Sequence, residues 1–294
     1  MTSSAPTVVV IGANGLVGAR VCAALAERGA AVRAVVRRAG TAPEVDGVTE
    51  HVGEFTDPAD VAAAVAGADA VVTTVHPMGS DRATQQRIGV EGNSLVARVA
   101  AEAGVGRLVH VSTAAVYDRS PGVGDVDESS ALVGDDADDY AVTKRDTDAA
   151  IAAVDGITRV ILRPPAILGP GETSVWNTLR PATMRDDERA RHAVAEQSFA
   201  WVHVGDLASF AADLALGAAG PAEGDCTVVN VCTGSAATRD YVEAVTGAFG
   251  VEPTWDERPA WTGAVLAERA RGWGWTPRIG LAEALTELAV GLRP

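Results

Sequence analysis

Lysine is almost absent from this chain. Of its 24 basic side chains only Lys144 is a lysine, which sets that residue apart before any motif is considered, because surface positions tolerate either cation while a few chemical roles do not. Cysteine is scarce too. Cys22, Cys226 and Cys232 form no CxxC pair, and five scattered histidines form no HExxH, so neither a disulfide framework nor a metal site is expected. No apolar run approaches the ~20 residues that cross a bilayer, and the start of the chain lacks the basic and long apolar stretches of a signal peptide. The expectation is a cytoplasmic protein with no membrane partner. With 39 acids against 24 bases, a net charge of −15, there is little to grip a phosphate backbone, which excludes nucleic acid as a partner. No Gly-Lys-Ser/Thr occurs, so a nucleoside-triphosphatase loop is excluded as well.

What is present is a regular alternation. The chain has 294 residues, 47% of them hydrophobic, enough for one large domain or two closely packed ones. Thr7 to Ile11 is a β-branched run, and an amphipathic stretch from Ala19 to Arg28 closes at Gly29, a residue suited to a helix end. Strand-like runs recur at Ala31 to Val36, Thr49 to Phe55, Ala70 to Val75, Arg107 to Ser112 and Thr158 to Leu162. Helical patterns lie between them at Ala59 to Ala66, Thr84 to Ala103 and from about Tyr140. Such alternation predicts an α/β fold with a parallel sheet covered on both faces. After Arg163 the pattern breaks at Pro164, Pro165, Pro170 and Pro181, and all six tryptophans lie beyond the break. We therefore expect residues 1–164 to form a dinucleotide-binding domain and residues 165–294 a smaller substrate-binding region packed against it.

Gly12, Gly15 and Gly18 sit between a strand and a helix, where missing side chains let a backbone approach a pyrophosphate at the positive end of the helix. A tight turn without a ligand is the plainer reading. The strand before and the helix after favour the dinucleotide. Where the second strand ends, an acid would bind a free ribose hydroxyl and an arginine a 2'-phosphate. The residues there are Arg37 and Arg38, so NADP(H) is the preferred cofactor and NAD(H) the possible one. Glu54, beside Phe55 at the end of the third strand, is a candidate for the adenine or a surface acid.

Tyr140 and Lys144 are four residues apart, on one face of a helix. A nearby ammonium lowers a phenol's pKa from ~10, which suits a proton donor to a carbonyl or alkoxide. Thr113 lies at the C-terminal edge of the sheet, where such folds place ligands, and its hydroxyl is a candidate to orient the substrate oxygen. Residues 118–148 hold ten acids against three bases. A solvated loop is the preferred reading of that run over a lure for a cationic substrate.

These residues together resemble a short-chain dehydrogenase/reductase of the extended kind, over nearly the whole chain. Gly12 to Gly18 is similar to that family's GxxGxxG, Val109 to Tyr117 to the stretch with its catalytic Ser/Thr, and Tyr140 with Lys144 to its YxxxK. Arg163 to Gly171, Trp201 to Asp206 and Gly272 to Pro277 resemble later segments. The resemblance implies a doubly wound Rossmann sheet and the catalytic set Thr113, Tyr140 and Lys144. Around the cofactor it implies Gly12, Asn14, Gly15, Leu16, Val17 and Gly18 from the first turn, with Arg37, Arg38, Glu54, Phe55, Val75, Tyr140, Lys144 and Pro164 from later segments. V-R-A-V-V-R from Val32 to Arg37 is similar to NADPH-using ketone reductases.

Three positions depart from the family. Gly89 stands where an asparagine often braces the lysine through water. Ala166 and Phe199 replace an asparagine and an arginine by which sugar-nucleotide members hold their substrate. The expected function is an NADPH-dependent reductase of a ketone or aldehyde on a largely apolar small molecule, as a monomer or homodimer. The alternatives are a sugar-nucleotide epimerase or dehydratase and a non-catalytic NAD(P)-sensing protein.

Overall fold

The computed structural model describes residues 5–221 and 224–293. Strands and helices alternate through β1 (Thr7–Ile11), α1 (Leu16–Glu27), β2 (Ala31–Val36), β3 (Val48–Val52), α2 (Pro58–Val65) and β4 (Ala70–Thr73). A short α3 (Arg82–Thr84) then runs through a π-helical stretch, Gln85–Glu91, into α4 (Gly92–Glu102). After it come β5 (Arg107–Val111), α5 (Asp139–Ala152), β6 (Thr158–Arg163), β7 (Ala166–Leu168), α6 (Arg180–Asp186) and β8 (His192–Ala193). The chain continues as β9 (Ser198–His203), α7 (Val204–Ala215), β10 (Cys226–Asn230), β11 (Gly234–Ala237), α8 (Thr238–Phe249), β12 (Thr254–Trp255), α9 (Glu268–Gly272) and α10 (Leu281–Leu292).

Seven strands form one sheet in the order β10-β6-β5-β4-β1-β2-β3. Neighbours from β6 through to β3 pair in parallel. This is the doubly wound Rossmann arrangement, whose strand order reverses direction between β1 and β4. The strands are apolar because both faces are covered: Val8, Val9, Val10, Val71 and Val72 are fully buried. Val61, Ala64 and Val65 of α2 and Val96, Ala97 and Ala100 of α4 pack with Val9, Val71 and Leu108 in one core.

The chain divides into two compact units. The first takes the residues up to Val116, Leu132–Arg163 and Ala208–Val229. The second takes Tyr117–Ala131, Pro164–Leu207 and the residues from Asn230 onward. One crossing between the units, Arg163 to Pro164, falls a residue before the break expected after residue 164, and neither unit is a continuous stretch of chain. The cause is the sheet itself, which completes one edge beside β6 with β10, a short run from far along the chain. In the second unit β9 pairs with β7 in parallel and with β11 antiparallel. Leu168, Met184, Phe199, Trp201, Tyr241, Val245 and Leu288 make its core. Trp201, Trp261 and Trp275 are buried in packing; the indole of Trp261 donates to the Gly124 carbonyl at 2.9 Å.

Local chemistry moves several expected boundaries. Helix α1 starts at Leu16 because Gly15 is its N-cap. Strand β3 ends at Val52 and not at Phe55: the Glu54 amide turns to the Asp60 carboxylate at 2.7 Å, and Phe55 turns inward against Gly92, where a Cβ would lie 2.7 Å from its ring. The acidic run before Tyr140 is occupied by helix construction. Asp138 caps α5 through the Ala141 amide at 3.0 Å, Asp139 lies 3.5 Å from Arg82, and Asp135 pairs with Arg145 at 2.7 Å. No helix among the described residues is long and apolar enough to cross a membrane.

The turn after β1 is the tightest place in the sheet. Gly12 has φ +85°, and a Cβ there would lie 2.6 Å from Thr74 Oγ1; at Gly18 it would lie 2.1 Å from the Gly12 carbonyl oxygen. Gly18→Ala is expected to lower stability by about 1–3 kcal/mol through overpacking against backbone. Gly15→Ala, whose Cβ would meet only the Gly12 oxygen at 3.4 Å, should lose less; urea midpoints of the two variants measure the difference.

Candidate active site

The glycines of the first turn divide their work. Gly12 and Gly18 are glycines because the protein packs against itself there, whereas a Cβ on Gly15 would meet only the Gly12 oxygen, at 3.4 Å. This turn forms a cradle at the start of α1, whose first turn has no side-chain cap and no acidic residue to repel an anion. A dinucleotide's pyrophosphate fits this cradle. Asn14 is exposed there, and Leu16 and Val17 are half-buried. Beyond β2, Arg37 and Arg38 are exposed, and neither guanidinium makes a hydrogen bond or ion pair among the described residues. Glu54 is exposed, while the Phe55 side chain lies in the core rather than at the surface. Val75, half-buried, follows β4 and abuts Gly12. Pro164 is the first residue after β6 and belongs to the second unit.

Helix α5 presents Tyr140, Lys144 and Asp148 at successive four-residue steps, and the first unit holds all three together with Thr113. Thr113 follows β5 and is buried, its Oγ1 accepting the Ala115 amide at 3.1 Å. Its hydroxyl is close enough to the Tyr140 phenol to lower the phenol's pKa. Lys144 is 3% exposed and donates to the Val111 carbonyl at 2.8 Å. Burial pushes its ammonium down to about 8, against the pull of Asp148.

One sequence expectation is reversed here. The phenol of Tyr140 lies above its ordinary pKa, because burial raises it more than Thr113 lowers it, and the Asp138 and Asp148 carboxylates raise it further. Helical spacing put the cation on the right face. It did not reveal that the ammonium turns to a strand carbonyl, nor that the phenol is buried.

Several residues of this neighbourhood carried no sequence motif of their own. Asp148 Oδ2 accepts from Arg163 Nε at 2.9 Å, and both side chains are about 5% exposed. Burial raises the Asp148 carboxyl, while Arg163, Ser112 and Lys144 pull it down. Its place one further turn along the Tyr140–Lys144 face is the signal that was available. His76, three residues past β4, meets the Tyr140 ring and lies 3.1 Å from Gln85 Oε1. Asn93, fully buried, donates to the carbonyls of Gly89 at 2.7 Å and Val75 at 3.2 Å. On β5, His110 Nδ1 is 2.7 Å from the Thr73 hydroxyl, and burial holds it neutral.

Residues 12–203 match the model of a family described as NAD(P)H-binding. Among curated proteins, the chain is 32% identical over 171 residues to a 2-alkyl-3-oxoalkanoate reductase of Stenotrophomonas maltophilia, covering 56% of this chain and 52% of that one. It is 29% identical to a dTDP-6-deoxy-L-talose 4-dehydrogenase (NAD(P)(+)) of Kitasatospora kifunensis, covering 96% and 94%. The match spans only about half the length of several such relatives. Among solved structures, the Bordetella bronchiseptica enzyme WbmG in complex with NAD superposes with a TM-score of 0.78 at 19% identity, over 99% of this chain and 97% of that one. That likeness is one of fold.

The buried ammonium of Lys144 makes stability depend on pH. Its pKa is about 8 in the folded protein against 10.5 for the free group, so between those values the unfolded chain binds a proton that the folded chain has released. Stability from this group therefore rises with pH across that window. Measured by urea unfolding, wild type is expected to gain up to about 3 kcal/mol on Lys144→Met between pH 8 and 10.5. A difference that stays flat across the window contradicts the burial of the charge.

Proposed function

Because the chain belongs to the NAD(P)H-binding family, as an extended short-chain dehydrogenase/reductase, we propose that it is an NADPH-dependent reductase of a ketone or aldehyde on a largely apolar small molecule. The observation that carries this reading is the state of Tyr140. Its ring is half-buried on the face of α5 that carries Lys144, in the same unit as Thr113, and a phenol so placed can give up its proton when a carbonyl becomes an alkoxide.

The Gly12–Gly18 turn at the positive end of α1 would hold the pyrophosphate, and Arg37 with Arg38 the 2'-phosphate. The reduced dinucleotide, when bound, supplies a hydride to the carbonyl carbon. Thr113 Oγ1 accepts the Ala115 amide, and its single hydrogen would turn from the phenol to the substrate oxygen when substrate is bound. Tyr140 Oη delivers the proton to that oxygen. The negative charge then left on the phenol is stabilised by Lys144, one helical turn along. Lys144 uses one N–H on Val111 and keeps two for the phenol side and a ribose hydroxyl.

An apolar substrate is supported by the second unit. Phe199 is buried and stacked on Tyr241, with ring centroids 4.8 Å apart, and Trp176 meets its edge at 5.2 Å. At Phe199 and Ala166, where sugar-nucleotide members of the family carry polar side chains, neither side chain can pair with a diphosphate, and an unpaired buried charge costs several kcal/mol. A nucleotide-sugar reading draws support from the talose dehydrogenase, which aligns over 96% of the chain. Arg180, lying over the Trp176 ring at 5.0 Å, is the guanidinium best placed in that unit to serve it.

NADPH oxidation with a panel of alkyl 3-oxo esters and cyclic ketones tests the main reading, and turnover of none of them counts against it. Tyr140→Phe is expected to lower kcat about 10²- to 10⁴-fold with cofactor affinity nearly unchanged. NADPH should bind about one to two decades more tightly than NADH, and Arg37→Ala should erase most of that preference. Calorimetric titration with UDP and dTDP separates the two readings: micromolar binding of either promotes the nucleotide-sugar enzyme.

A further inference from the structure

The mechanism above gives the half-buried imidazole of His76 no work. The ring of His76 meets that of Tyr140 edge to face, with centroids 5.1 Å apart and planes at 82°. Two neighbours fix it there. Gln85 Nε2 donates to the Ser80 carbonyl at 2.7 Å, which turns Gln85 Oε1 toward His76 Nε2 at 3.1 Å. An amide oxygen only accepts, so the imidazole carries its hydrogen on Nε2. On its other side lies Gly89. A Cβ at that position would be 2.9 Å from His76 Nδ1 and 3.0 Å from Cε1, so the ring fills the volume that any other residue would claim. The Gly89 carbonyl is tied down in turn by Asn93 at 2.7 Å.

Gln85 and Gly89 both belong to the π-helical stretch Gln85–Glu91, a rare backbone form that is common at functional sites. His76 Nδ1 is buried and has no hydrogen-bond partner among the described residues. The ring is therefore held at Nε2 by Gln85 and, at 3.4 Å, by the Thr143 hydroxyl, and otherwise by shape. Lys144 and Tyr140 face it from α5 and His110 from β5. Burial and the Lys144 charge push its pKa down to about 4, so it presents the same neutral dipole to Tyr140 across the neutral range.

We infer that His76 is a positioning residue for Tyr140: a neutral imidazole clamped between Gln85 and the bare Cα of Gly89, which fixes the phenol ring for proton transfer. Gly89 is glycine so that the imidazole can enter. The inference rests on Tyr140 as proton donor, and its test also reads the tyrosine directly.

Gly89→Ala, His76→Ala and the double variant form the experiment. Alanine is the better helix former, so any loss in Gly89→Ala comes from the collision with the ring. With the ketone turned over fastest in the panel, each single variant is expected to lose about 10- to 100-fold in kcat, with the KM for NADPH within about twofold of wild type. The double variant should lose no more than His76→Ala, because the added methyl then meets no ring. The chain has three tyrosines, so in protein labelled with ¹³Cζ-tyrosine the Tyr140 resonance is assigned by its disappearance in Tyr140→Phe. It should move in both single variants without any ligand. Additive losses, or an unmoved Tyr140 resonance, overturn the inference. If His76→Ala does not fold, Gly89→Ala decides alone by the same resonance. If Tyr140→Phe keeps its rate, the proton-donor reading fails, while the resonance still reports whether His76 places the ring.

Discussion

Removing an ammonium group from water costs several kcal/mol unless its surroundings offset it, and the region around β5, β6 and α5 is arranged to do so for Lys144. The Val111 carbonyl at the end of β5 takes one N–H. Asp148, one turn further along α5, supplies the opposite charge, and Arg163 at the end of β6 keeps that carboxylate from being isolated in turn. The offset is partial, which is why the amine titrates near neutrality. A guanidinium cannot be brought to this state within the range a protein tolerates, so an arginine could not take the place of Lys144 here.

Where the ligands lie follows from topology. The strand order reverses between β1 and β4, so the connections after these two strands lead away from each other and leave a crevice at their ends. Gly12, after β1, and Thr74 and Val75, after β4, are pressed together at its floor. Thr113 follows the next strand over. The Thr113 hydroxyl and the glycine turn are thus both placed by the ends of parallel strands of one sheet.

Much of this was legible in the sequence, because it is local. The bounds of β1 and β2 coincide with the apolar runs Thr7 to Ile11 and Ala31 to Val36, and the Tyr140–Lys144 spacing placed both side chains on one helical face. Long-range terms were not legible. The end of β3 depends on Asp60, six residues past Glu54. The direction of the Tyr140 pKa depends on burial, which no spacing encodes. Gly89 was visible as a departure from a family pattern, but its cause is the ring of a histidine 13 positions earlier, brought against it by the fold. C-T-V-V-N at Cys226–Asn230 has the composition of a strand, yet nothing in its neighbourhood says that it belongs to a sheet begun at residue 7.

That last strand bears on how such a protein can be cut and recombined. The first unit draws on three separate stretches of chain and the second on three others, so neither is a module in the sense of a continuous gene segment. A fragment ending at Arg163 would expose the edge of β6 that β10 covers, and would lack the Asp213 carboxylate and the Ser209 groups that hold Arg28 at the end of α1. Shuffling whole halves between relatives severs the sheet and leaves an unpaired strand open to aggregation.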